Sequence, residues 1–225
     1  MNLNSKTTGA RRGFTLIELL TVISIIAVLA ALLIPALSSL SKRKYITTAQ
    51  AELGQIQAAI DSYHAKYGSY PPSSANGVLL HQLFYELSGT TYNPVNKTYT
   101  TLDGQYIVLA ADLNTVFGVA GIVNCSKGSG EDAAPARNFL LGLKPGMIGT
   151  NSAGTGGVAF LMTSLRGLDP TYTPLGANTI DVNPFRYNSV NPTNNPGTYD
   201  LWIDLPISHK TNRISNWSRQ VQTVQ

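Results

Sequence analysis

The feature that most constrains this chain is an apolar run near its start. Residues 14–40 contain a single ionisable side chain, that of Glu18. A helix needs about 20 apolar residues to cross the hydrocarbon core of a bilayer, and this run is long enough. It is too long for the apolar region of an ordinary secretory signal, and no small-x-small cleavage site follows it. The sequence therefore predicts a transmembrane helix over residues 14–37.

Glu18 is out of place in such a helix. A buried carboxylate costs about 3 kcal/mol or more in a membrane unless a cation neutralises it. The run itself contains no basic side chain, so the cation has to come from elsewhere. A cut between Gly13 and Phe14 would give Phe14 a free α-amino group, four residues from Glu18 or within reach of a neighbouring copy. The alternative is a carboxylate at the membrane interface that reaches water.

Basic residues flank the run on both sides. Lys6, Arg11 and Arg12 precede it and residues 42–44 (Lys-Arg-Lys) follow it, so the positive-inside rule gives no orientation. Without these six residues, the formal net charge of +4 becomes −2, because 10 of the 16 basic residues remain against 12 acidic ones. The body of the protein has no basic patch, which argues against nucleic-acid binding.

Apolar residues continue beyond the basic triplet at intervals of three and four. They are Ile46, Ala49, Leu53, Ile56, Ile60, Tyr63 and Tyr67. This spacing predicts an amphipathic extension of the helix over residues 38–68, with its stripe packed on a globular head. Glu52 falls off the stripe. Gly68 is suited to a C-cap, and Pro71 with Pro72 prevents continuation of the helix.

After the helix the composition changes, and we expect a globular α/β head over residues 69–225. Gly, Asn, Thr and Pro interrupt short β-prone runs. These runs lie at residues 105–110, 116–123, 158–162, 185–187 and 199–203, and a short helix is predicted at 78–87. The expected fold class is α+β, with a long N-terminal α-helical spine packed on a small antiparallel β-sheet head with long loops.

One motif at the start of the chain resembles a known family. The sequence from Arg11 to Glu18 (Arg-Arg-Gly-Phe-Thr-Leu-Ile-Glu), followed by an apolar helix, resembles the prepilin leader of type IV pilins and type II secretion pseudopilins. Pro35 stands where many members carry a helix-loosening proline, and it should kink or open the helix. The resemblance implies a cytoplasmic leader at residues 1–13, cleavage by a prepilin peptidase between Gly13 and Phe14, and N-methylation of Phe14.

Two later segments are similar to G-type pseudopilins. Residues 65–72 resemble their helix exit, and residues 181–187 partly match a segment near their C-terminus. Many G-type members bind calcium in that region, and Asp200 and Asp204 stand near the equivalent place. Calcium takes six to eight oxygen ligands, so two carboxylates supply only part of a site. The alternative is a pair of surface carboxylates beside a strand.

The remaining reactive side chains do not form a pattern that indicates catalysis. The sequence has no P-loop, HExxH or GxSxG motif. His64, His81 and His209 show no ligand spacing, and Cys125, the only cysteine, cannot form an intrachain disulfide. We expect Cys125 to be buried. The prediction is a protein that is not an enzyme and has no cofactor other than the calcium considered above.

The resemblance implies a single-pass protein of the bacterial inner membrane, with its head in the periplasm. It would polymerise with itself and other pilin-like subunits on an inner-membrane assembly platform, with the Phe14 amine of one copy neutralising Glu18 of another. The first hypothesis is a periplasmic pseudopilus of a type II secretion system. The alternative is a type IV pilin of a surface fibre for adhesion, motility or DNA uptake. A monomeric anchored enzyme or binding protein is disfavoured, because catalytic motifs are lacking and the amphipathic helix is long.

Overall fold

The computed structural model describes residues 14–126, 135–151, 157–177 and 179–224, with the backbone alone at positions 33–39. The chain divides into two compact units, Met1–Lys44 and Tyr45–Gln225. One helix, α1 (Leu16–Tyr67), contributes residues to both. The α+β class, the N-terminal helix and the antiparallel sheets predicted from the sequence are confirmed.

In the first unit, α1 exposes apolar side chains on every side. The large apolar residues between positions 16 and 32 are exposed by 46% (Val22) to 82% (Leu16). Apolar surface gains about 25 cal/mol per Å² when it is removed from water. This part of the helix therefore has a strong drive to be covered, and the described part of the chain does not cover it.

In the second unit, α1 buries one face. The stripe residues Ala49, Leu53, Ile56, Ile60 and Tyr63 are buried and belong to one hydrophobic cluster with residues of the head. The predicted stripe is thus confirmed. The helix ends at Tyr67, with Gly68 as its C-cap, as predicted. Gly68 takes a left-handed φ of 72°, and its amide donates to the carbonyl of His64 at 2.8 Å.

The head begins with helix α2 (Leu83–Ser88), which is shorter than the predicted 78–87 and is entirely buried. A four-stranded sheet follows, in the order β3-β2-β1-β4. Its strands are β1 (Thr90–Asn93), β2 (Thr98–Thr101), β3 (Ile107–Leu109) and β4 (Cys125–Ser126). The β1–β2 and β2–β3 pairs are antiparallel, whereas β4 runs parallel to β1.

The prediction of a strand at residues 116–123 is wrong. Two short helical segments lie there and just before, α3 (Ala110–Asp112) and a π-helical turn (Leu113–Phe117). Gly118, in the left-handed region at φ 69°, ends this turn. The apolar residues of the turn are buried as helical neighbours rather than in alternation, and Leu113 and Phe117 are fully inaccessible. A short apolar run does not distinguish a buried helical turn from a strand.

Two further sheets complete the head. One is the antiparallel pair β5 (Ile148–Asn151) and β6 (Val158–Leu161). The other is an antiparallel sheet in the order β10-β9-β8-β7. Its strands are β7 (Arg186–Asn188), β8 (Asp200–Ile207), β9 (Lys210–Ser215) and β10 (Gln222–Val224). Ser208 and His209 join β8 to β9 with φ of 54° and 57°, the geometry of a tight hairpin turn.

Candidate functional site

The predicted cleavage and assembly residues, Gly13, Phe14 and Glu18, lie in the sequence just before α1 and in its first turn. Gly13, the residue before the predicted cut, lies outside the described residues. Phe14, the predicted first residue after the cut, is 76% exposed. Nothing described here covers the Phe14 side chain, which leaves the chain accessible next to the predicted cut. Cleavage and N-methylation at this point remain predictions.

Glu18 makes its contacts with the first turn of its own helix. Its Oε2 accepts hydrogen bonds from the backbone N–H of Thr15 at 2.9 Å and from Thr15 Oγ1 at 2.7 Å. The N–H of Glu18 donates back to Thr15 Oγ1 at 3.3 Å. This is a capping box, in which two backbone N–H groups at the helix start find acceptors. The carboxylate is thereby held beside residue 15, next to the position where the predicted cut would create an amine.

The role of Thr15 was not predicted from the sequence. The signal was present, because Thr-x-x-Glu before an apolar run is the pattern of a capping box. Pairing of Glu18 with the Phe14 amine remains a prediction.

Among the described residues, no helix combines the length and apolar character needed to cross a bilayer. Position 35 lies within α1. The kink predicted at Pro35 stays a prediction.

Asp200 lies at the start of β8 and is 3% exposed. Its carboxylate accepts hydrogen bonds from the loop before the strand, a contact that was not predicted from the sequence. The donors are the backbone N–H groups of Thr193, Asn194 and Asn195 at 2.8–2.9 Å and the side-chain amide of Asn194 at 3.0 Å. Asp200 thus fixes this loop against the strand.

Asp204 forms ion pairs with two arginines on neighbouring strands. Arg213, directly opposite it on β9, donates from Nε at 2.7 Å and from one terminal nitrogen at 3.0 Å. Arg186 on β7 approaches it at 3.5 Å. The hydrogen bonds to Asp204 raise the pKa of Arg213. A carboxylate held by two guanidinium groups is poorly suited to a cation.

These contacts argue against calcium at the Asp200–Asp204 pair. Four residues along a strand separate the two Cα atoms by about 13 Å, too far for both carboxylates to share one ion. No group of three or more His, Cys, Asp or Glu side chains is placed to hold a metal within the described residues. The resemblance predicts calcium at this pair, whereas these contacts predict none. Calorimetry with millimolar calcium tests between the two, and we expect no heat.

A buried network joins α1 to the head through Glu86. Its carboxylate accepts hydrogen bonds from Tyr63 Oη at 3.1 Å and from the backbone N–H groups of Val123 and Asn124 at 2.9 and 3.0 Å. Tyr67 Oη donates to the side-chain oxygen of Asn124 at 2.7 Å. Burial raises the pKa of Glu86 and that of Tyr63. The network fixes the end of α1 to the head, and sequence reasoning missed it.

Two other side chains considered from the sequence, His81 and Cys125, are buried. His81 is fully inaccessible, and its Nε2 lies 3.0 Å from the carbonyl oxygen of Phe185. Burial lowers the pKa of His81 to about 4. Cys125 is buried, as predicted. Among the described residues, neither side chain belongs to a group of three or more His, Cys, Asp or Glu that could hold a metal ion.

Comparison with known proteins agrees with the start of α1. Residues 9–34 match the family model described as the prokaryotic N-terminal methylation motif. A type IV wide pilus major component, PilA4 of Thermus thermophilus, is 34% identical over 110 residues, which cover 49% of this chain and 72% of the relative. The chain belongs to the type IV pilin-like family.

Relatives of this pilin-like chain come from both branches of the family. The fimbrial protein EcpB of Eikenella corrodens is 33% identical over 48% of this chain and 69% of its own length. The type II secretion system core protein G of Pseudomonas aeruginosa is 39% identical over 26% of this chain and 42% of its own length. No solved structure matches the chain. The pilin-like family consists of structural subunits, and the three relatives named above include two pilus proteins and one secretion protein.

Proposed function

We propose that this chain is a structural, non-enzymatic subunit that polymerises into a filament through the first part of α1. The observation that carries the proposal is the uncovered apolar surface between residues 16 and 32, where every large apolar side chain is at least 46% exposed. Such a surface is covered by lipid before assembly and by the same helix of other copies afterwards. Family membership and the methylation motif support this order of events.

Processing is part of the proposal. A prepilin peptidase would cut between Gly13 and Phe14, methylate the new amine and leave the head outside the inner membrane. The amine of one copy would then meet Glu18 of another in a setting of low dielectric constant. A buried charge without its partner is strongly disfavoured there, so the pair would set the axial register of the copies. Gly13→Leu should block the cut and leave an unprocessed precursor.

Two finer assignments follow from different observations. A periplasmic pseudopilus of a type II secretion system is supported by the similarity to secretion protein G over 59 residues. A surface pilus is supported by the similarity to PilA4, which extends over 72% of that relative. Deleting the gene separates them. Loss of secreted proteins with intact surface fibres supports the pseudopilus, whereas loss of fibres with normal secretion supports the pilus.

Filament formation itself is tested by crosslinking the full chain in membranes that contain the assembly machinery. We expect a ladder of multimers from the wild type. Val28→Asp, at a position exposed by 62% on the apolar part of α1, should leave monomers only. The matched control is Val95→Asp, the same change at a head position exposed by 87%, which should retain the ladder. If the wild type yields only monomers, the proposal fails.

A further inference from the structure

The basic triplet Lys42, Arg43 and Lys44 follows directly after the apolar part of α1. It is helical, and all three side chains are exposed. Within the described part of the chain, the ion pairs join only Asp204 to Arg186 and Arg213, so the triplet has no carboxylate partner there. Neither the methylation motif at residues 9–34 nor the charge at Glu18 accounts for it.

The position of the triplet matches the thickness of a membrane. The helix from Leu16 to Ser41 rises about 39 Å at 1.5 Å per residue. A bilayer with its headgroup layers is about 40–45 Å thick. If the start of α1 lies at one headgroup layer, residues 42–44 reach the opposite one.

The arrangement of the three cations distinguishes a lipid layer from a protein partner. Consecutive residues of an α-helix point about 100° apart, so three in a row spread around the helix instead of lining one face. A protein partner would contact one face and leave at least one cation outside. A headgroup layer surrounds the helix and can place a phosphate beside each of them. Lys and Arg next to a membrane surface favour anionic lipid.

From these observations we infer that Lys42, Arg43 and Lys44 form a binding site for the phosphates of anionic phospholipid headgroups at the membrane surface on the head side. The inference rests on the proposed membrane anchor. It adds a function to the triplet: the site holds the subunit at a fixed depth until assembly removes it from the bilayer.

The test uses the full chain in phosphatidylcholine vesicles that contain a trace of spin-labelled lipid. The fraction of label slowed by the protein is measured for phosphatidylglycerol and for phosphatidylcholine. The wild type should prefer phosphatidylglycerol by roughly fivefold or more at low salt. The preference should shrink at high salt, because mobile ions screen exposed charges.

The decisive variant replaces all three cations, K42Q/R43Q/K44Q, and should lower the preference severalfold, to the level that Lys6, Arg11 and Arg12 before the apolar run contribute. The matched control, K97Q/K210Q/R219Q, removes the same charge from exposed positions of the head and should keep the preference. Equal preference in the wild type and the triplet variant would overturn the inference. If such a variant also loses its multimers in the crosslinking assay, the triplet binds another copy instead of lipid.

Alkaline extraction of the same vesicles separates this inference from the proposed function. A chain that stays in the vesicles but shows no preference for phosphatidylglycerol refutes the headgroup site alone. If the wild-type chain is extracted, the anchor is refuted and the headgroup site falls with it.

Discussion

The two parts of α1 are both rich in apolar residues, but these residues are exposed in the first part and mostly buried in the second. Between residues 16 and 32 the apolar side chains point in all directions and are exposed. Between residues 46 and 67 they recur every three or four positions, and five of the seven are buried by the head. The spacing of apolar residues decides what a helix can pack against. A single apolar stripe packs on one surface, whereas a helix that is apolar on all sides has to be surrounded by apolar material. We infer that the first part is built for lipid and other copies.

The largest effect is expected from the charge at the start of α1. Glu18→Ala should abolish filaments while insertion, cleavage and the stability of the head are unchanged. Glu18→Gln is the informative control, because Gln can replace Glu in a capping box but carries no charge. If the charge sets the register, both variants fail to assemble, and electron microscopy of sheared filaments would show none. Normal filaments from Glu18→Gln would assign the role to capping instead.

A second prediction contrasts the two parts by stability. Ile60→Ala removes a fully buried side chain and should lower the unfolding free energy of the head by about 2–5 kcal/mol. Ile26→Ala, at a position exposed by 58%, should change it by less than about 0.5 kcal/mol. Denaturant unfolding of the full chain in detergent, followed by tryptophan fluorescence, measures both, since Trp202 and Trp217 lie in the head. Equal effects would mean that the two parts are not energetically distinct.

The head should also respond to pH through His81. Its pKa is lowered to about 4 in the folded state, so the unfolded chain binds the proton more tightly between about pH 6.5 and 4. Stability from this residue is therefore present above pH 6.5 and is lost as the pH falls, by about 3 kcal/mol in all. His81→Gln keeps a donor for the Phe185 carbonyl. In this variant the unfolding free energy, measured as a function of pH, should fall less steeply below pH 6.5. An unchanged slope would contradict the buried neutral state.

Glu86 contributes to the same curve with the opposite sign. Burial raises its pKa, so its contribution is greatest below the ordinary Glu range and declines as the pH rises through the raised value. Comparing the wild type with His81→Gln at each pH removes the Glu86 contribution, which is common to both proteins.

The smallest effect is expected from the helix cap. Thr15→Ala removes the acceptor for the Glu18 N–H and should weaken the helix start by about 1 kcal/mol, or about fivefold in amide exchange. Thr21→Ala is the control, because the Thr21 hydroxyl only donates to a carbonyl within the helix. Hydrogen exchange of the first-turn amides in detergent measures the difference. Identical exchange rates would show that the cap does not hold the helix start.

The sequence predicted the parts of the molecule that depend on local pattern. The stripe from Ile46 to Tyr67 and the end at Gly68 are set by spacing and by one glycine, and both are confirmed. The capping box was also readable, since Thr15 and Glu18 are three residues apart.

Contacts between distant residues could not be predicted in the same way. Glu52 lies off the stripe but is buried, and the side chains of Thr163 and Ser164, far along the chain, donate hydrogen bonds to its carboxylate. The partner of Asp204 depends on the register that places Arg213 opposite it. Strand β9 begins Lys-Thr-Asn-Arg, which has no apolar alternation, and its place in the sheet comes from the hairpin turn before it.

The most direct test of the central claim is an electron cryo-microscopy reconstruction of the assembled filament. Residues 16–32 of neighbouring copies should pack along the filament axis at interaxial distances of about 8–10 Å, with the heads outside. Each Glu18 should lie beside the N-terminal amine of another copy. A filament in which these helix segments are separate from one another, with contacts made by the heads alone, would contradict the account.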